Sequence, residues 1–554
     1  MANRNAEAHF ASNPTNLDMS RSKFDLSHSV KTTFNVGEII PFCPPIEVLP
    51  GDTFSIDTSK VIRLQTPLVP IMDNLYCDFY WFFVPNRLVW DHWKEFMGEN
   101  SAGYWIPSTT YSVPMCKCTY SSGWPVGSIA DYMGLPIGPR SVNMEVNALP
   151  FRGWALIMNE WFRSENLIPP RVVTKGDTAV NYSSSNYNNY TTGCEAGGNP
   201  MRACKFFDYF TACLPAPQKG PDVLLPLGSR APVVTSNDST LSYYPSSPSL
   251  MRGKFANSGN TETQVNAFWN LQSSYALSNV NSFYPINLWA DLGNATAASV
   301  NQLRLAFQIQ KLYEKDARGG TRYIEILKSH FGVTSPDSRL QRPEYLGGSR
   351  IPININQVLS TADYDSGKPV GTTGAVSLTT DVHSDFTHSF TEHGFVFGAC
   401  VARYNHSYQQ GRHKMWERKD RFDYYWPVLA NIGEQPVYKD QLYYDSSNTN
   451  ALTGERAVFG YNEAFAEYRT INDTVTGEMR SDAPQSLDIW HFADDYASVP
   501  VLNGNWLSEE KTNIDRCLAV PSSTSNQLFM DCFIKFYATR CMPVYSIPGL
   551  IDHH

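Results

Sequence analysis

A cluster of cations interleaved with aromatic residues carries the strongest chemical signal in the chain. Residues 409–427 read QQGRHKMWERKDRFDYYWP. Unpaired nucleic acid requires this combination, because phosphates need neutralising and bases need flat surfaces to stack on. Glu417, Asp420 and Asp423 could instead pair the cations internally, so a contact between subunits or between strands fits at least as well. The candidate nucleic-acid contacts are Arg412, Lys414, Trp416, Arg418, Lys419 and Arg421.

Catalytic and metal-binding motifs are weak by comparison. The chain contains no GxxxxGK[ST], GxGxxG, HExxH or GxSxG sequence. Cys116 and Cys118 have too few neighbouring ligands for a zinc site. The stretch 363–367 hints at a calcium loop, but its twelfth position is Gly374 rather than Glu, so a turn is the better interpretation.

Three histidines follow one another at five-residue steps, at positions 383, 388 and 393. On a strand, such steps place His388 on the face opposite the other two, so a shared metal ion is not expected. We predict no metal, no cofactor and no catalytic residue.

The elements that must position these residues are mainly strands. Residues 51–58 alternate apolar and polar side chains, which places Phe54 and Ile56 on one face of a strand. Residues 74–84 (NLYCDFYWFFV) are apolar and aromatic almost throughout, which indicates a strand buried on both faces. Strand patterns return late in the chain, at 350–355, 376–382, 394–403 and 529–537.

Helices are predicted between the two strand-rich regions. The spacing predicts helices at 91–97, 151–163, 297–316 and 322–331. Because helices do not alternate regularly with strands, a doubly wound parallel sheet fits poorly. A mainly β antiparallel sandwich with long, partly helical insertions fits better.

Composition excludes several classes of protein. The 554 residues include 44 Lys and Arg against 53 Asp and Glu, for a net charge of −9, and 13 % are aromatic. Such a chain can bury a large core, and a net negative protein is a poor condenser of nucleic acid on its own. No apolar run is long enough for a membrane span, and no secretory signal is expected at the N-terminus. Eleven cysteines without framework spacing predict reduced thiols and a cytosolic origin.

Several stretches taken together resemble one protein family. They are NRLVWD (86–91), FDYFT (207–211) with LPAPQKGP and PLGS (226–229), residues 301–333, PEYLGGS (343–349), ARYNHSYQQGRHKMW (402–416) and the terminal PVYSIPGLIDHH. In this order they are similar to the major capsid proteins of the gokushoviruses, a branch of the small tailless microviruses.

The resemblance implies an eight-stranded antiparallel jelly roll of viral capsid type, sixty copies of which form a T=1 icosahedral shell around circular single-stranded DNA. It implies contacts with other copies, a small basic DNA-packaging protein, an internal scaffolding protein and a receptor on the bacterial host. Assembly in the host cytoplasm and residence in the virion are expected.

The domain organisation expected from this resemblance has four parts. Residues 1–30 form an internal arm, 31–229 and 287–554 supply the jelly roll with its helical insertions, and 230–286 form a variable threefold projection that attaches to the host. Tyr, Asn, Ser and Thr are plentiful in 235–244, as in adaptable contact surfaces. The candidate host contacts are Tyr243, Tyr244, Phe255, Phe268 and Trp269.

The residue types, taken without the family resemblance, are also compatible with two other functions. A sandwich with Tyr-rich loops also fits a carbohydrate-binding module, which would not form megadalton particles. A glycan hydrolase would need a pair of carboxylates, and no pair can be nominated from the sequence.

Overall fold

The computed structural model describes residues 21–99, 109–187, 189–221, 223, 300–319, 323–332, 341–362, 369–445 and 456–545, and the backbone of five short strands between 233 and 290. The chain divides into two units. The larger unit consists of residues 1–217 and 334–554, and the smaller one of residues 218–333.

Eight long strands of the larger unit form two antiparallel sheets. The first four are β1 (Ser22–Asp25 continued by His28–Phe34), β2 (Glu38–Pro41 continued by Ile46–Val48), β3 (Thr53–Leu64) and β4 (Leu75–Pro85). The last four are β5 (Glu344–Pro352), β6 (Thr379–Ser389), β7 (Gly394–Tyr404) and β8 (Leu528–Arg540). The sheet orders are β1-β8-β3-β6 and β2-β7-β4-β5, which is jelly-roll topology. The predicted fold class is confirmed.

The core of the sandwich follows from strand periodicity. Inward residues of β3, such as Phe54 and Ile56, are fully buried and alternate with partly exposed ones. In β4, Trp81 packs into the core between the sheets, whereas Phe82 packs into a second apolar cluster on the other face. The prediction that this strand is buried on both faces is confirmed.

Helical insertions supply that second cluster. It includes residues of the short helices α1 (Trp93–Phe96) and α2 (Ile129–Tyr132) and of the longer α3 (Leu149–Ile157), which a π-helical turn continues to Phe162. Trp154 of α3 is fully buried and lies 6.2 Å from the Phe397 ring of β7. The outer face of the β2-β7-β4-β5 sheet is therefore covered.

Shorter paired strands complete the larger unit. Met115–Lys117 pairs with Glu145–Asn147, Ile355–Leu359 with Thr373–Ser377, Ser407–Tyr408 with Asp473–Thr474, and Glu434–Tyr438 with Val458–Glu463, and Met201–Arg202 extends the sheet at β2. A helical turn, Gly504–Leu507, precedes β8.

The smaller unit contains strands and two helices. Val233–Thr235 pairs with Leu288–Ala290, and Ser242–Pro245 pairs with both Gly253–Lys254 and Phe283–Pro285. The helices are α4 (Val300–Gly319) and α5 (Tyr323–Phe331), close to their predicted bounds. This unit is longer than the insertion predicted at 230–286, because it also includes both helices.

Part of the arm predicted at residues 1–30 belongs to a β-strand. Residues 22–25 and 28–34 pair with β8, so the boundary at residue 30 was wrong, and the rest of the arm, residues 1–20, lies outside the described residues. This strand was difficult to predict from the sequence because three of its outward positions, Lys23, Asp25 and Lys31, are charged.

All eleven cysteines lie within the described residues, and none forms a disulfide. Nine of them are buried, and burial raises the pKa of Cys116 and of Cys194 to about 12. These thiols pack as small apolar side chains and are poor nucleophiles.

Candidate assembly interface

The cation-rich segment lies between β7 and β8 and is built from tight turns. Its 3-10 turns span Lys414–Glu417, Arg421–Asp423 and Pro427–Leu429. The Asp423 carboxylate accepts hydrogen bonds from the backbone N–H groups of Asp420 (2.9 Å) and Lys419 (2.8 Å). These two bonds hold the pKa of Asp423 below its usual range. They also fix the backbone of Lys419 and Asp420, which connects the first two 3-10 turns.

Two of the predicted nucleic-acid contacts are already paired. The Glu467 carboxylate, whose side chain is only 3 % exposed, lies 3.1 Å from Nη2 of Arg418 and 3.5 Å from Nζ of Lys414. The Arg418 guanidinium also lies over the ring of Tyr468, 4.3 Å from its centroid. Both cations are therefore held by the chain itself.

Arg412 takes part in a second ion-pair group. It lies 3.1 Å from Asp440 and 3.5 Å from Glu417. Arg456 donates two hydrogen bonds of 2.7 Å to Glu417 and another to Asp440. Burial lowers the pKa of Arg456, but these hydrogen bonds outweigh it and raise the pKa above its usual range.

Sequence reasoning missed Arg456, Asp440 and Glu467, because all three lie outside the segment that carries the motif. The only signal for them was that the five Lys and Arg residues of 409–427 outnumber its three acidic residues. Together, four cations face three carboxylates in these pairs, so the group is close to neutral.

Two predicted contacts stay exposed. Lys419 and Arg421 make no ion pair within the described part of the chain, and Arg421 lies 4.7 Å from the ring centroid of Phe422. Trp416, the sixth predicted contact, is 73 % exposed. The structure thus joins Lys414 and Arg418 through the Glu467 carboxylate and holds Arg412 in a separate group with Glu417 and Asp440. The other three predicted contacts stay at the surface.

Large apolar side chains dominate the exposed side of this segment. We call them the aromatic surface: Met415, Trp416, Phe422, Tyr424, Tyr425, Trp426 and Val428. Each of them is at least 48 % exposed. Soluble proteins rarely leave such a group uncovered, and aromatic residues beside neutralised charges are typical of protein interfaces. The geometry favours a protein partner over nucleic acid.

The other predicted positions do not form a site. Tyr243 and Tyr244 lie on the strand Ser242–Pro245, while Phe255, Phe268 and Trp269 lie outside the described residues. His383 lies 3.4 Å from Asp385, and His388 lies 3.6 Å from Glu344. In the described ranges no group of His, Cys, Asp and Glu could hold a metal ion.

Comparison with known proteins identifies the family. A family model described as "Capsid protein (F protein)" matches residues 12–550. The chain belongs to this family of phage capsid proteins. It is 40 % identical to capsid protein VP1 of Spiroplasma virus 4 over 558 residues, 38 % identical to that of Bdellovibrio phage phiMH2K, and 37 % identical to that of Chlamydia phage 1. These alignments cover 96–99 % of each chain.

The family settles the class of function. The expected kinship with microvirus major capsid proteins is confirmed, and this capsid protein is a structural subunit of the virion rather than an enzyme. Capsid proteins assemble with their own copies, which agrees with the exposure of the aromatic surface. No helix in the described ranges is both long and apolar enough to span a membrane.

Proposed function

We propose that sixty copies of this capsid protein form a T=1 icosahedral shell around a circular single-stranded DNA genome, and that the aromatic surface is one of the contacts between copies. The observation that carries this proposal is that seven large apolar side chains are exposed beside cations that the chain itself neutralises. A closed shell buries several surfaces of each subunit, so a surface of this kind is expected in a free subunit.

The net charge bears on how the genome is packaged. A subunit with a charge of −9 cannot neutralise DNA phosphates by itself. We therefore include a small basic DNA-packaging protein and an internal scaffolding protein among its partners, with assembly in the cytoplasm of the bacterial host. Residues 1–20, the shortened arm, are assigned to the interior of the shell.

Direct contact with DNA is a narrower proposal. Of the predicted cations, Lys419 and Arg421 have no acidic partner within the described residues, so they are the best placed to meet phosphates. Crosslinking of DNA-filled particles, followed by peptide mapping, tests this. If no adduct falls within 409–427, DNA contact by this segment is refuted.

The smaller unit carries the proposed host contact. Its strands Val233–Thr235 and Leu288–Ala290 pair at the two ends of the variable stretch, as the stem of a projection would. We assign Tyr243, Tyr244, Phe255, Phe268 and Trp269 to a threefold projection that binds a host receptor.

Imaging and mass measurement of purified particles test the shell. Sixty copies of a 62.3 kDa chain amount to about 3.7 MDa. We expect Trp416→Ser to reduce particle yield at least tenfold, because central aromatic residues contribute about 2 kcal/mol or more at an interface and the contact is repeated around the shell. Its free energy of unfolding should change by less than about 0.5 kcal/mol, since the side chain is exposed.

Asn431→Ser is the matched control, because it changes an exposed polar residue just after the last of these turns without removing apolar area. It should form shells at the parental yield. Parental yield from Trp416→Ser would refute the role of the aromatic surface, and purified particles whose mass or symmetry does not correspond to sixty copies would refute the shell.

A further inference from the structure

Arginines and aromatic side chains lie together along strand β5, at one edge of the β2-β7-β4-β5 sheet. Within the described residues β5 pairs with β4 alone, so it is an edge strand. Its outer face carries two large exposed side chains, Tyr345 (45 % exposed) and Arg350 (53 % exposed). Because strands rise about 3.3 Å per residue, these two side chains lie roughly 15 Å apart along the edge.

Positive charge is in excess at this edge. Asp78 of β4 is buried and accepts two hydrogen bonds from Arg350, of 2.6 Å and 3.0 Å, and one of 2.6 Å from Arg403. Two guanidinium groups thus share one carboxylate, which leaves one positive charge. Glu344, the acidic residue of β5 itself, lies opposite the core residue Phe83 and therefore on the inner face of the sheet.

Aromatic rings lie beside these cations. The centroid of the Phe206 ring is 4.8 Å from the Arg350 guanidinium and 4.3 Å from that of Arg403. The next residue, Phe207, is 91 % exposed. At the other end of the edge, the ring of Trp161 lies 5.9 Å from that of Tyr345. We call this set the arginine–aromatic edge: Trp161, Phe206, Phe207, Tyr345, Arg350 and Arg403.

A gap without side chains separates Tyr345 from Arg350. Gly348 lies between them, opposite Tyr80. A Cβ atom at Gly348 would lie 2.1 Å from the carbonyl oxygen of Phe79, so the sheet itself requires glycine here. As a result, the backbone of β5 stays open to close approach at this point.

The charge balance distinguishes this edge from the aromatic surface. There, four cations face three carboxylates, whereas here two arginines share one. Unpaired nucleic acid binds where cations neutralise its phosphates and flat rings stack on its bases. Arginine suits such a site, because its planar guanidinium binds phosphate oxygens in pairs and also stacks on rings.

We propose that the arginine–aromatic edge binds single-stranded DNA, with Arg350 contacting phosphates and Phe207 and Tyr345 contacting bases. The inference rests on the proposed function, because the packaged genome is the nucleic acid that a capsid subunit meets. It places a DNA contact outside residues 409–427, so the two contacts can be tested separately. Arg403 is a positioning residue, since it holds Asp78 and Phe206 beside Arg350.

Binding of a single-stranded oligonucleotide to the full-length protein tests Arg350. Arg350→Gln should weaken binding at least threefold and reduce the slope of log affinity against log salt by about 0.7, because one phosphate contact is lost. Arg469→Gln is the matched control, since the Arg469 side chain is 57 % exposed and belongs to no part of this edge. No binding by the parent chain at low salt, or equal losses in both variants, would overturn the inference.

Phe207→Ser gives a second test that disturbs no ion pair. The side chain is almost fully exposed, so the variant should keep the parental melting temperature. We expect it to bind the oligonucleotide at least fivefold more weakly, because a base loses its stacking surface. Val382→Ser is the control, since it removes an exposed apolar side chain from the other sheet and should bind as the parent does. Parental affinity of Phe207→Ser would count against the inference.

Ultraviolet crosslinking of DNA-filled particles tests the contact inside the shell. After nuclease digestion and peptide mapping, we expect DNA adducts on peptides that contain Phe207 or Tyr345. DNA-filled particles whose adducts all lie elsewhere, at 409–427 for example, would overturn this inference alone. Benzoylphenylalanine at position 207 should likewise give adducts with DNA, and adducts with a neighbouring chain only would also overturn it. Particles without single-stranded DNA would instead overturn the proposed function, and this inference with it.

Discussion

His406 is buried between two carboxylates. Its ring nitrogens lie 2.8 Å from Oδ1 of Asp494 and 3.1 Å from Oε2 of Glu509, and its side chain is 1 % exposed. Lys205 lies 2.9 Å from the other oxygen of Asp494. Burial lowers the pKa of His406, but the charges of Asp494 and Glu509 outweigh it and raise the pKa from 6.5 to about 9.

This pKa predicts a loss of stability in alkaline solution. Because the folded-state pKa lies above the unfolded one, the stabilisation is complete below about pH 6.5 and is lost as the pH rises through about 9. The loss should be roughly 3 kcal/mol at about 1.4 kcal/mol per pKa unit. Denaturant unfolding from pH 6 to 10 measures it. His406→Gln should lack this decline, and parallel curves for the parent and the variant would contradict the assignment.

At the scale of elements, the turns at 412–426 depend on carboxylates supplied from elsewhere in the chain. Glu467→Gln should lower the free energy of unfolding by about 1–3 kcal/mol, because Lys414 and Arg418 lose a buried charge partner. Amide hydrogen exchange at 412–426 should also become faster. Glu463→Gln is the matched control, since its ion pair with Arg469 is exposed and should contribute less than about 1 kcal/mol. Equal effects from both substitutions would contradict a special role for Glu467.

The same elements show where sequence reasoning succeeds. Strand β4 could be predicted because a run of apolar residues on both faces is stable only between two covering layers. Strand β3 could be predicted because apolar and polar residues alternate along all twelve of its residues. Strand β1 could not be predicted, since it is polar and its partner β8 lies about five hundred residues away in the sequence. The pairing of Arg418 with Glu467 was equally hidden, because only the tertiary fold brings them together.

For the whole molecule, the paired strands Val233–Thr235 and Leu288–Ala290 indicate which residues can be deleted without affecting the sandwich. Deleting residues 236–287 and joining Thr235 to Leu288 with a short Gly-Ser turn keeps both stem strands, Val233–Thr235 and Leu288–Ala290. The sandwich should fold and assemble, because none of its strands lies in the deleted stretch. Particles should lose the threefold projection and bind host cells at least tenfold more weakly. Cryo-electron microscopy and cell-binding assays check this, and undiminished host binding would contradict the assignment.

The position of β8 links synthesis of the chain to its acceptance into a virion. Residues 528–540 lie between β1 and β3, both of which come from the first 64 residues. During synthesis, β1 and β3 cannot complete their sheet until β8, near the end of the chain, has been translated. A prematurely terminated polypeptide therefore lacks the middle of a sheet rather than a peripheral loop. We therefore expect truncated chains to fail to fold and to be absent from assembled particles.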